Sequence, residues 1–555
     1  MTDRLKIVTA QLNPVVGDIS GNLARARAAH GEAKARKADL IIFPEMFLMG
    51  YPPEDLVLKP VAVSACQEAL DSLAKDTSEG PAIIIGTPWR QDEKLFNAVA
   101  VLDEGKVFAL RFKHDLPNYA VFDEMRVFDH GPLPKIVDWR GLKLGLPICE
   151  DIWLENAPNS LIGQGADFII SINGSPWRRT IETERRAAFS NWFDPWQGDK
   201  ALVFVNQIGG QDELVFDGAS FSRDSSGREV QRLPAFEECM DVADWERTDT
   251  GWICSNALQA PVLTGLEADW KAMVRALGDY VEKNGFPGVV LGMSGGVDSA
   301  ISAAIAADAL GPERVWAVMM PSKYTSSESL EDAKACANAL GVRYDIIDVE
   351  PTIASFNSVL STAFRGTEPD TAEENIQSRA RGVVLMALSN KFGPMVLSTG
   401  NKSEMAVGYA TLYGDMNGGF NALKDIYKTE VFDLCKWRNA VTEKMGHGPV
   451  GEVIPHNIIT KPPSAELRPD QTDQDSLPPY EELDDILTCL IEREMGFEEI
   501  VARGHQAGVV KKIEHLLYIA EYKRRQAPPG VKITAKNFGR DRRYPITNRY
   551  RDARD

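Results

Sequence analysis

Three residues of reactive types stand where apolar, strand-like runs of the sequence stop. Glu45 ends LIIFPE, Lys113 ends VFALRFK and Cys149 ends LGLPIC. Strand ends are where enzymes built on sheets place reactive groups. A thiolate is a nucleophile, a carboxylate can move its proton to a leaving amine, and an ammonium lowers the thiol pKa and stabilises an oxyanion. We therefore predict one site for covalent catalysis at a carbonyl carbon.

Each of these residues alone has a more ordinary interpretation. A lone Cys149 is more often an inert buried thiol, and Lys113 or Glu45 alone would be a solvated charge. The contexts FPE, RFKHDLPNYAVFDE and ICEDIW favour the catalytic interpretation. They resemble the nitrilase, or carbon–nitrogen hydrolase, superfamily, whose triad is Glu, Lys and Cys in this chain order.

A second reactive segment is GVVLGMSGGVDSA, residues 288–300. Its apolar run predicts a strand, its glycines a turn, and the alanine-rich run that follows a helix. The N–H groups and dipole of a helix N-terminus favour phosphate, and Asp298 can hold a divalent cation beside it. No GK[ST] ends the loop, so it is not a Walker motif. The alternative is a plain glycine turn, but SGGVDS resembles the loop of ATP pyrophosphatases, which adenylate a substrate.

The apolar runs around these residues predict an α/β protein of two domains. Residues 1–254 alternate short strands with helices, which predicts an α-β-β-α nitrilase-like sandwich. Residues 255–267 are mixed in composition and predict a linker. Residues 268–555 continue in βα alternation, which predicts a doubly wound parallel sheet, Rossmann-like and similar to the adenine nucleotide alpha hydrolases, with ligands at the strand C-termini.

Composition excludes several classes of function. The chain of 555 residues is 44% hydrophobic and 25% charged, with a net charge of -19, so we expect no nucleic-acid partner, because such partners need a broad basic surface. No apolar run approaches a membrane span and no signal peptide is evident, so we expect no membrane association. Seven scattered cysteines without a CxxC motif are typical of a reducing cytoplasm.

The N-terminal half is similar to the glutaminase domains of glutamine-dependent NAD synthetases, most clearly in LPNYAVFDE and ICEDIW. The resemblance implies a glutamine pocket lined by Tyr119, Phe122, Glu124, Ser175 and Ile181. Relatives often carry a lysine or similar residue where Ile181 stands, in SPWRRTIETERR. At this position we therefore expect the backbone, rather than a charged side chain, to line the pocket.

The C-terminal half resembles the same family in ENIQSRARG, STGNKSE, GDMNGGFNALKDIYKTE, KPPSAEL and YKRRQAPPG. The resemblance implies binding of ATP, of deamido-NAD(+) and of Mg²⁺ as cofactor. The ATP residues would be Gly292, Met293, Ser294, Gly295, Gly296, Val297, Asp298, Ser299, Thr399, Lys428 and Ser464. The deamido-NAD residues would be Asn375, Arg379, Glu404 and Lys523, and the metal ligands Asp298 and Glu404.

The family resemblance implies a ligase that releases ammonia from L-glutamine and uses ATP to amidate deamido-NAD(+). Two alternatives are another glutamine-fed ligase with the same ATP loop and a binding module with a degenerate site. The nitrilase-like half argues against the first and the intact reactive residues against the second. We expect only small-molecule substrates, a homo-oligomer, a mobile glycine-rich loop at residues 413–422, and poor order after Pro528.

Overall fold

A computed structural model describes residues 3–193, 200–469 and 471–552. Contacts divide the chain into two compact units. One comprises the residues up to Gln211 together with Val215–Leu263, and the other Asp212–Leu214 together with the residues from Thr264 onward. The limits 1–254, 255–267 and 268–555 remain our proposal for the functional domains. No described helix combines the length and apolarity that crossing a membrane requires.

The first unit is a sandwich of two sheets between helices. One sheet has the strand order β15-β14-β1-β2-β3-β4-β5 and the other β13-β12-β9-β8-β7-β6, with β10 and β11 as a separate ribbon. The strands are β1 Arg4–Gln11, β2 Leu40–Ile42, β3 Ala82–Gln91, β4 Lys94–Asp103, β5 Lys106–Phe112, β6 Val137–Trp139, β7 Leu142–Gly145, β8 Phe168–Asn173, β9 Ala201–Asn206, β10 Ile208–Gln211, β11 Leu214–Asp217, β12 Phe221–Arg223, β13 Glu229–Arg232, β14 Cys239–Thr248 and β15 Gly251–Asn256.

The core of this unit lies between the two sheets. Ile42 and Ile84 of one sheet share it with Leu144 and Ile170 of the other. Helices α1 and α2 pack on the outer face of the first sheet, and α3 and α4 on that of the second. The helices are α1 Ile19–Ala35, α2 Pro60–Ala74, α3 Asn156–Gly163 and α4 Ile181–Trp192. This arrangement confirms the predicted α-β-β-α sandwich.

The second unit is built on a parallel sheet of five strands, in the order β18-β17-β16-β19-β20. Ala380 of α9 packs against Val290 and Val318 on one face, while α6 contacts β16 and β17. The elements are α5 Gly265–Lys283, β16 Val289–Gly292, α6 Val297–Leu310, β17 Val315–Met319, α7 Ser327–Leu340, β18 Arg343–Ile346, α8 Glu350–Leu360, α9 Thr371–Phe392, β19 Met395–Ser398, α10 Lys402–Val407, β20 Phe420–Asn421, α11 Lys428–Ala440, α12 His456–Thr460, α13 Tyr480–Ile491, α14 Phe497–Ala502, α15 Ala507–Ile519 and α16 Glu521–Arg524. The doubly wound parallel sheet is confirmed.

Strand order in this sheet fixes where a ligand can bind. The chain runs outward from β16 to β18 on one side, and later adds β19 and β20 on the other. The neighbours β16 and β19 therefore flank the point where the order reverses, and ligands of such sheets bind outside the strand C-termini at that point.

One sequence expectation needs correction here. Order does not end at Pro528: Val531 and Ile533 are fully buried, and one carboxylate oxygen of Asp425 accepts the N–H groups of Ile533 and Thr534, each at 2.7 Å. The basic composition suggested a loose tail, but these contacts are with residues distant in sequence. In the glycine-rich segment 413–422, Phe420 and Asn421 form strand β20, which pairs with β19, and the mobility expected of this segment stays a prediction.

Candidate active sites

Glu45 lies three residues beyond the end of β2 rather than at its last residue. Its Oε1 accepts the side-chain N–H of Asn97 at 2.7 Å, and its Oε2 accepts the backbone N–H of Gly174 at 2.7 Å. Asn97 belongs to β4 and Gly174 follows β8. Donors from both sheets of the sandwich therefore fix the orientation of this carboxylate.

Lys113 directly follows β5 and is fully buried. Its Nζ donates to Glu45 Oε1 and to Glu124 Oε1, both at 2.8 Å. The hydroxyl of Tyr51 donates to the same Glu124 oxygen at 2.7 Å. Burial lowers the pKa of Lys113, but the charges of Glu124 and Glu45 outweigh it and hold that pKa well above its usual value. The lysine is therefore a permanent cation between two carboxylates.

Cys149 begins a short 3₁₀ helix, Cys149–Ile152, after β7, and its φ of 43° is unusual for a side chain other than glycine. Burial, and then the charge of Glu45, raise the pKa of this thiol, whereas Lys113 lowers it only in part. The charge of Lys113 thus acts in the predicted direction, but burial and Glu45 outweigh it. Because burial and Glu45 raise its pKa, the cysteine rests as a thiol, and attack by sulfur requires a base.

The residues expected at the glutamine pocket differ in their burial and in their partners. Tyr119 and Phe122 form an edge-to-face pair with ring centroids 5.6 Å apart, and Glu124 belongs to the buried charge cluster. Ser175 is buried one residue after Gly174. Ile181 is also buried, and its backbone N–H donates to the carbonyl oxygen of Arg178 at 3.0 Å, so that N–H is already engaged.

Sequence reasoning missed three polar residues of this site. Asn97 and Tyr51 orient the two carboxylates, and Glu150, next to the cysteine, accepts a hydrogen bond from the Tyr119 hydroxyl at 3.1 Å. Burial raises the pKa of Glu150. The motif ICEDIW contains Glu150 and offered a signal, whereas nothing local marks Asn97 or Tyr51, since they reach the site from other elements.

The SGGVDS segment forms the predicted strand, turn and helix. Strand β16 ends at Gly292, Gly295 has a φ of 79°, and α6 begins at Val297. A Cβ on Gly295 would lie 2.4 Å from the carbonyl oxygen of Ser329, so this close approach of two segments requires glycine. The Ser294 and Ser299 hydroxyls lie 3.1 Å apart at the start of the helix.

A cavity of about 950 Å³ opens over this loop. It is large enough for a nucleotide-sized ligand. Its lining includes every predicted ATP residue except Gly295, together with Glu404: Gly292, Met293, Ser294, Gly296, Val297, Asp298, Ser299, Thr399, Lys428 and Ser464. The neighbouring positions of β16 and β19 explain this, because Thr399 directly follows β19 and Ser294 lies two residues beyond β16.

Asp298 and Glu404, the predicted metal ligands, converge on one ammonium group. Lys428 Nζ donates to Asp298 Oδ2 and to Glu404 Oε1, the latter at 3.3 Å. Asn401 donates to the other oxygen of Asp298 at 2.9 Å. Burial raises the pKa of Glu404 to about 8, against the opposing charge of Lys428.

The donors present fit a magnesium ion only together with a ligand. No group of three or more His, Cys, Asp and Glu side chains within the described ranges could hold a metal by itself. Two hard carboxylate oxygens beside a phosphate-binding turn nevertheless match Mg²⁺, which is usually bound through one or two carboxylates plus phosphates and water.

The remaining predicted deamido-NAD residues lie apart from the lining of this cavity. Asn375 Oδ1 accepts the Thr411 hydroxyl at 2.8 Å, and Arg379 donates to the Leu412 carbonyl at 3.2 Å. Lys523 Nζ donates to the Gly408 and Ala410 carbonyls at 2.8 Å each. The structure thus gathers these three side chains around the segment 408–412, immediately after the helix that carries Glu404.

Arg381 and Lys461 also line the cavity but were not singled out by sequence reasoning. Arg381 donates from Nε to the Met320 carbonyl at 3.0 Å, and burial lowers its pKa. It stands two residues after Arg379 in ENIQSRARG, so the motif contained it. Both arginines belong to α9, and the face of this helix on which each one lies decides which of them reaches the cavity.

Comparison with known proteins finds a matching family model for each half of the chain. The family model described as carbon–nitrogen hydrolase matches residues 6–251, and that described as NAD synthase matches residues 269–527. The glutamine-dependent NAD(+) synthetase of Rhodobacter capsulatus is 49% identical, with 100% of each chain covered. That of Xylella fastidiosa strain 9a5c is 43% identical, covering 99% of this chain and 100% of the relative.

A solved structure shows the same likeness over the whole chain. The glutamine-dependent NAD+ synthetase of Acinetobacter baumannii, in complex with adenosine diphosphate, is 41% identical, with a TM-score of 0.78 and coverage of 99% and 100%. The chain therefore belongs to the family of glutamine-dependent NAD(+) synthetases.

Proposed function

We propose that this chain releases ammonia from L-glutamine at Cys149 and uses it, with ATP, to amidate deamido-NAD(+) to NAD(+). The observation that carries this proposal is the presence of both machineries in one chain: the Glu45–Lys113–Glu124 cluster beside Cys149, and a phosphate turn beside a pair of carboxylates.

In the first reaction Glu45 takes the proton of the Cys149 thiol as sulfur attacks the amide carbon of glutamine. The proton passes to the departing nitrogen, ammonia leaves and a thioester remains. Water, activated by the same carboxylate, then attacks the thioester, which releases glutamate and returns the proton to sulfur. The ammonium of Lys113 stabilises the oxyanion in both steps.

In the second reaction a carboxylate oxygen of deamido-NAD(+) attacks the α-phosphorus of ATP, and pyrophosphate leaves. This activates the carboxylate, because AMP is a far better leaving group than hydroxide. Ammonia then attacks the acyl carbon, AMP departs and NAD(+) forms. Backbone N–H groups of the 294–299 turn and Lys428 hold the phosphates. A magnesium ion held by Asp298 and Glu404 would neutralise charge on them.

The test is a product balance with two matched variants. Purified protein given glutamine, ATP, Mg²⁺ and deamido-NAD(+) should release glutamate, AMP, pyrophosphate and NAD(+) in equal amounts. Cys149→Ala should abolish turnover with glutamine but keep it with ammonium salts, whereas Asp298→Ala should abolish both. Equal loss of both activities in Cys149→Ala would refute the division of labour.

We further propose that the enzyme is a cytoplasmic homo-oligomer. All seven cysteines are free, which fits a reducing compartment. Several large apolar side chains of α8 and α9 are exposed, among them Val359, Val383 and Phe392, and such surfaces usually pack against another chain. Light scattering coupled to gel filtration tests self-association, and a monomer at micromolar concentration would contradict it.

A further inference from the structure

The amino-acid end of glutamine has two charges that the catalytic cluster cannot bind. An α-carboxylate is recognised by a cation, most often by the fork of an arginine. Lys113 is completely buried between Glu45 and Glu124, and its charge serves the reacting carbonyl. A different cation therefore has to meet the carboxylate of the substrate.

The positively charged side chains described near this site differ in how free they are to bind a ligand. Arg185 is 1% exposed and paired with Asp217, to which both of its terminal nitrogens donate at 2.8 and 2.9 Å. Ile181 offers no charge. Arg178 has 25% of its side chain exposed, and it pairs with Glu184 at the beginning of α4. It is thus partly open to a ligand while its position is held.

The chain path places Arg178 next to the catalytic carboxylate. Gly174 donates its N–H to Glu45 Oε2 at 2.7 Å, Ser175 follows, and Arg178 is reached three residues later, just before α4. The Tyr119 hydroxyl donates to Glu150, the residue after Cys149, at 3.1 Å.

Electrostatics agree with this placement. Burial and Glu150 raise the pKa of Tyr119, and the positive charge of Arg178 opposes them. The guanidinium therefore acts on the phenol that stands beside Glu150. A cation and a carboxylate that both act on Tyr119 match the carboxylate and ammonium of a zwitterionic amino acid.

We propose that Arg178 binds the α-carboxylate of glutamine and so makes the glutaminase specific for an amino acid over a simple amide. Glu184, which bonds to both the Arg178 guanidinium and the Thr180 hydroxyl, holds the arginine in place without satisfying all five of its N–H groups. The proposal rests on the glutaminase activity proposed above and adds the group that selects its substrate.

The experiment compares Arg178→Ala and Arg178→Lys with Arg186→Ala, a control on α4 whose arginine is half exposed and pairs with Glu182. Arg178→Ala should raise the KM for glutamine about 10- to 100-fold, because a charge-assisted pair is lost. Arg178→Lys should recover part of that loss. Turnover with ammonium salts should stay unchanged, which shows that the variant is folded.

A second substrate separates recognition from structural damage. 4-Aminobutanamide is glutamine without its α-carboxylate, so its kcat/KM should be lower than that of glutamine in the wild type and unaffected by Arg178→Ala. An equal loss with both substrates, or an unchanged KM for glutamine, would overturn the proposal. Absence of glutaminase activity in the wild type would instead refute the proposed function.

Discussion

At the scale of single residues, the buried cysteine depends on its neighbours for reactivity. Cys149 is only 3% exposed, and burial favours the neutral form of a thiol. Glu45, a carboxylate that raises its pKa, is also the base that we propose removes its proton once a substrate carbonyl is in place. A resting thiol protects the enzyme from oxidants and alkylating agents, since the thiolate is the reactive species.

This predicts how alkylation of Cys149 varies with pH. Its pKa is raised above the ordinary value of 9.0, by burial and then by Glu45, so the thiolate fraction keeps growing as pH rises through 7, 8 and 9. The rate constant for inactivation by iodoacetamide, measured without glutamine, should therefore rise over this range with no plateau. A plateau beginning below pH 7 would indicate a resting thiolate instead.

The sequence predicted which reactive residues would come together, and their catalytic roles stay predictions. Glu45, Lys113 and Glu124 lie in one cluster beside Cys149, and Asp298, Glu404 and Lys428 in another, although each group is scattered along the chain. What could not be predicted is how charges share a partner. The orientation of Glu45 by Asn97, and the neutralisation of Lys113 by two carboxylates, depend on distances that only the folded chain sets.

At the scale of elements, strand β3 supports the loop that carries Glu45. Gly86 of β3 passes so close to it that an added Cβ would lie 2.2 Å from the Met46 nitrogen and 2.6 Å from the Glu45 carbonyl carbon. Backbone atoms cannot move away as a flexible side chain can. A larger residue at Gly86 has to displace the catalytic carboxylate.

Gly86→Ala should therefore reduce glutamine hydrolysis by about 100-fold, the effect expected of a shift near 1 Å in a catalytic group, and leave ammonia-driven synthesis intact. The measurement is glutamate release against NAD(+) formation from ammonium. Gly31→Ala is the matched control, because that position in α1 has no atom within 4 Å of the added carbon. Normal hydrolysis by Gly86→Ala would disprove this support.

Helix α10 depends on a buried ion cluster. Lys402, its first residue, is fully buried and pairs with Asp425 at 2.7 Å, and Asp425 also holds the backbone of Ile533 and Thr534. The cluster joins the helix that carries Glu404 to the segment near the C-terminal end. This cluster could not be predicted from the sequence. A lysine in the polar segment STGNKSE and the residues of a basic tail are both expected to be exposed.

Asp425→Ala should lower the free energy of unfolding by about 3–5 kcal/mol, since it leaves a buried charge with one partner fewer. Ammonia-driven synthesis should fall as well. Differential scanning calorimetry measures the stability, with Asp433→Ala as control, because the side chain of Asp433 is 61% exposed in its pair with Lys436. Similar transitions for the two variants would mean that the buried pair contributes little.

At the scale of the whole molecule, the ammonia that the first reaction releases has to reach the second reaction before it is protonated. Ammonia is mostly protonated at neutral pH, and ammonium is not a nucleophile. We expect glutamine-derived ammonia to reach the adenylate through the protein, by a passage that crosses between subunits. During turnover with unlabelled glutamine in medium containing heavy-nitrogen ammonium, mass spectrometry of NAD(+) should find little label. Strong incorporation would exclude a closed passage.

Glutamine is also conserved if its hydrolysis begins only after the adenylate has formed. We expect the segment 413–422, with its glycines at the substrate side, to close over deamido-NAD(+) and to favour an active glutaminase. Glutamate release from glutamine alone should therefore be slow and should accelerate when ATP and deamido-NAD(+) are added. A rate that does not respond to these substrates would reject such regulation.

The contact of Ile533 and Thr534 with Asp425 has a consequence for how the protein is made. A chain leaves the ribosome N-terminus first, and domains fold as they emerge. The whole sandwich with Cys149 is synthesised before the segment that completes the surroundings of α10. A newly made chain can therefore hold a folded glutaminase while its synthetase is still unfinished. A glutaminase that stays idle without an adenylate would spare the cell its glutamine during every round of translation.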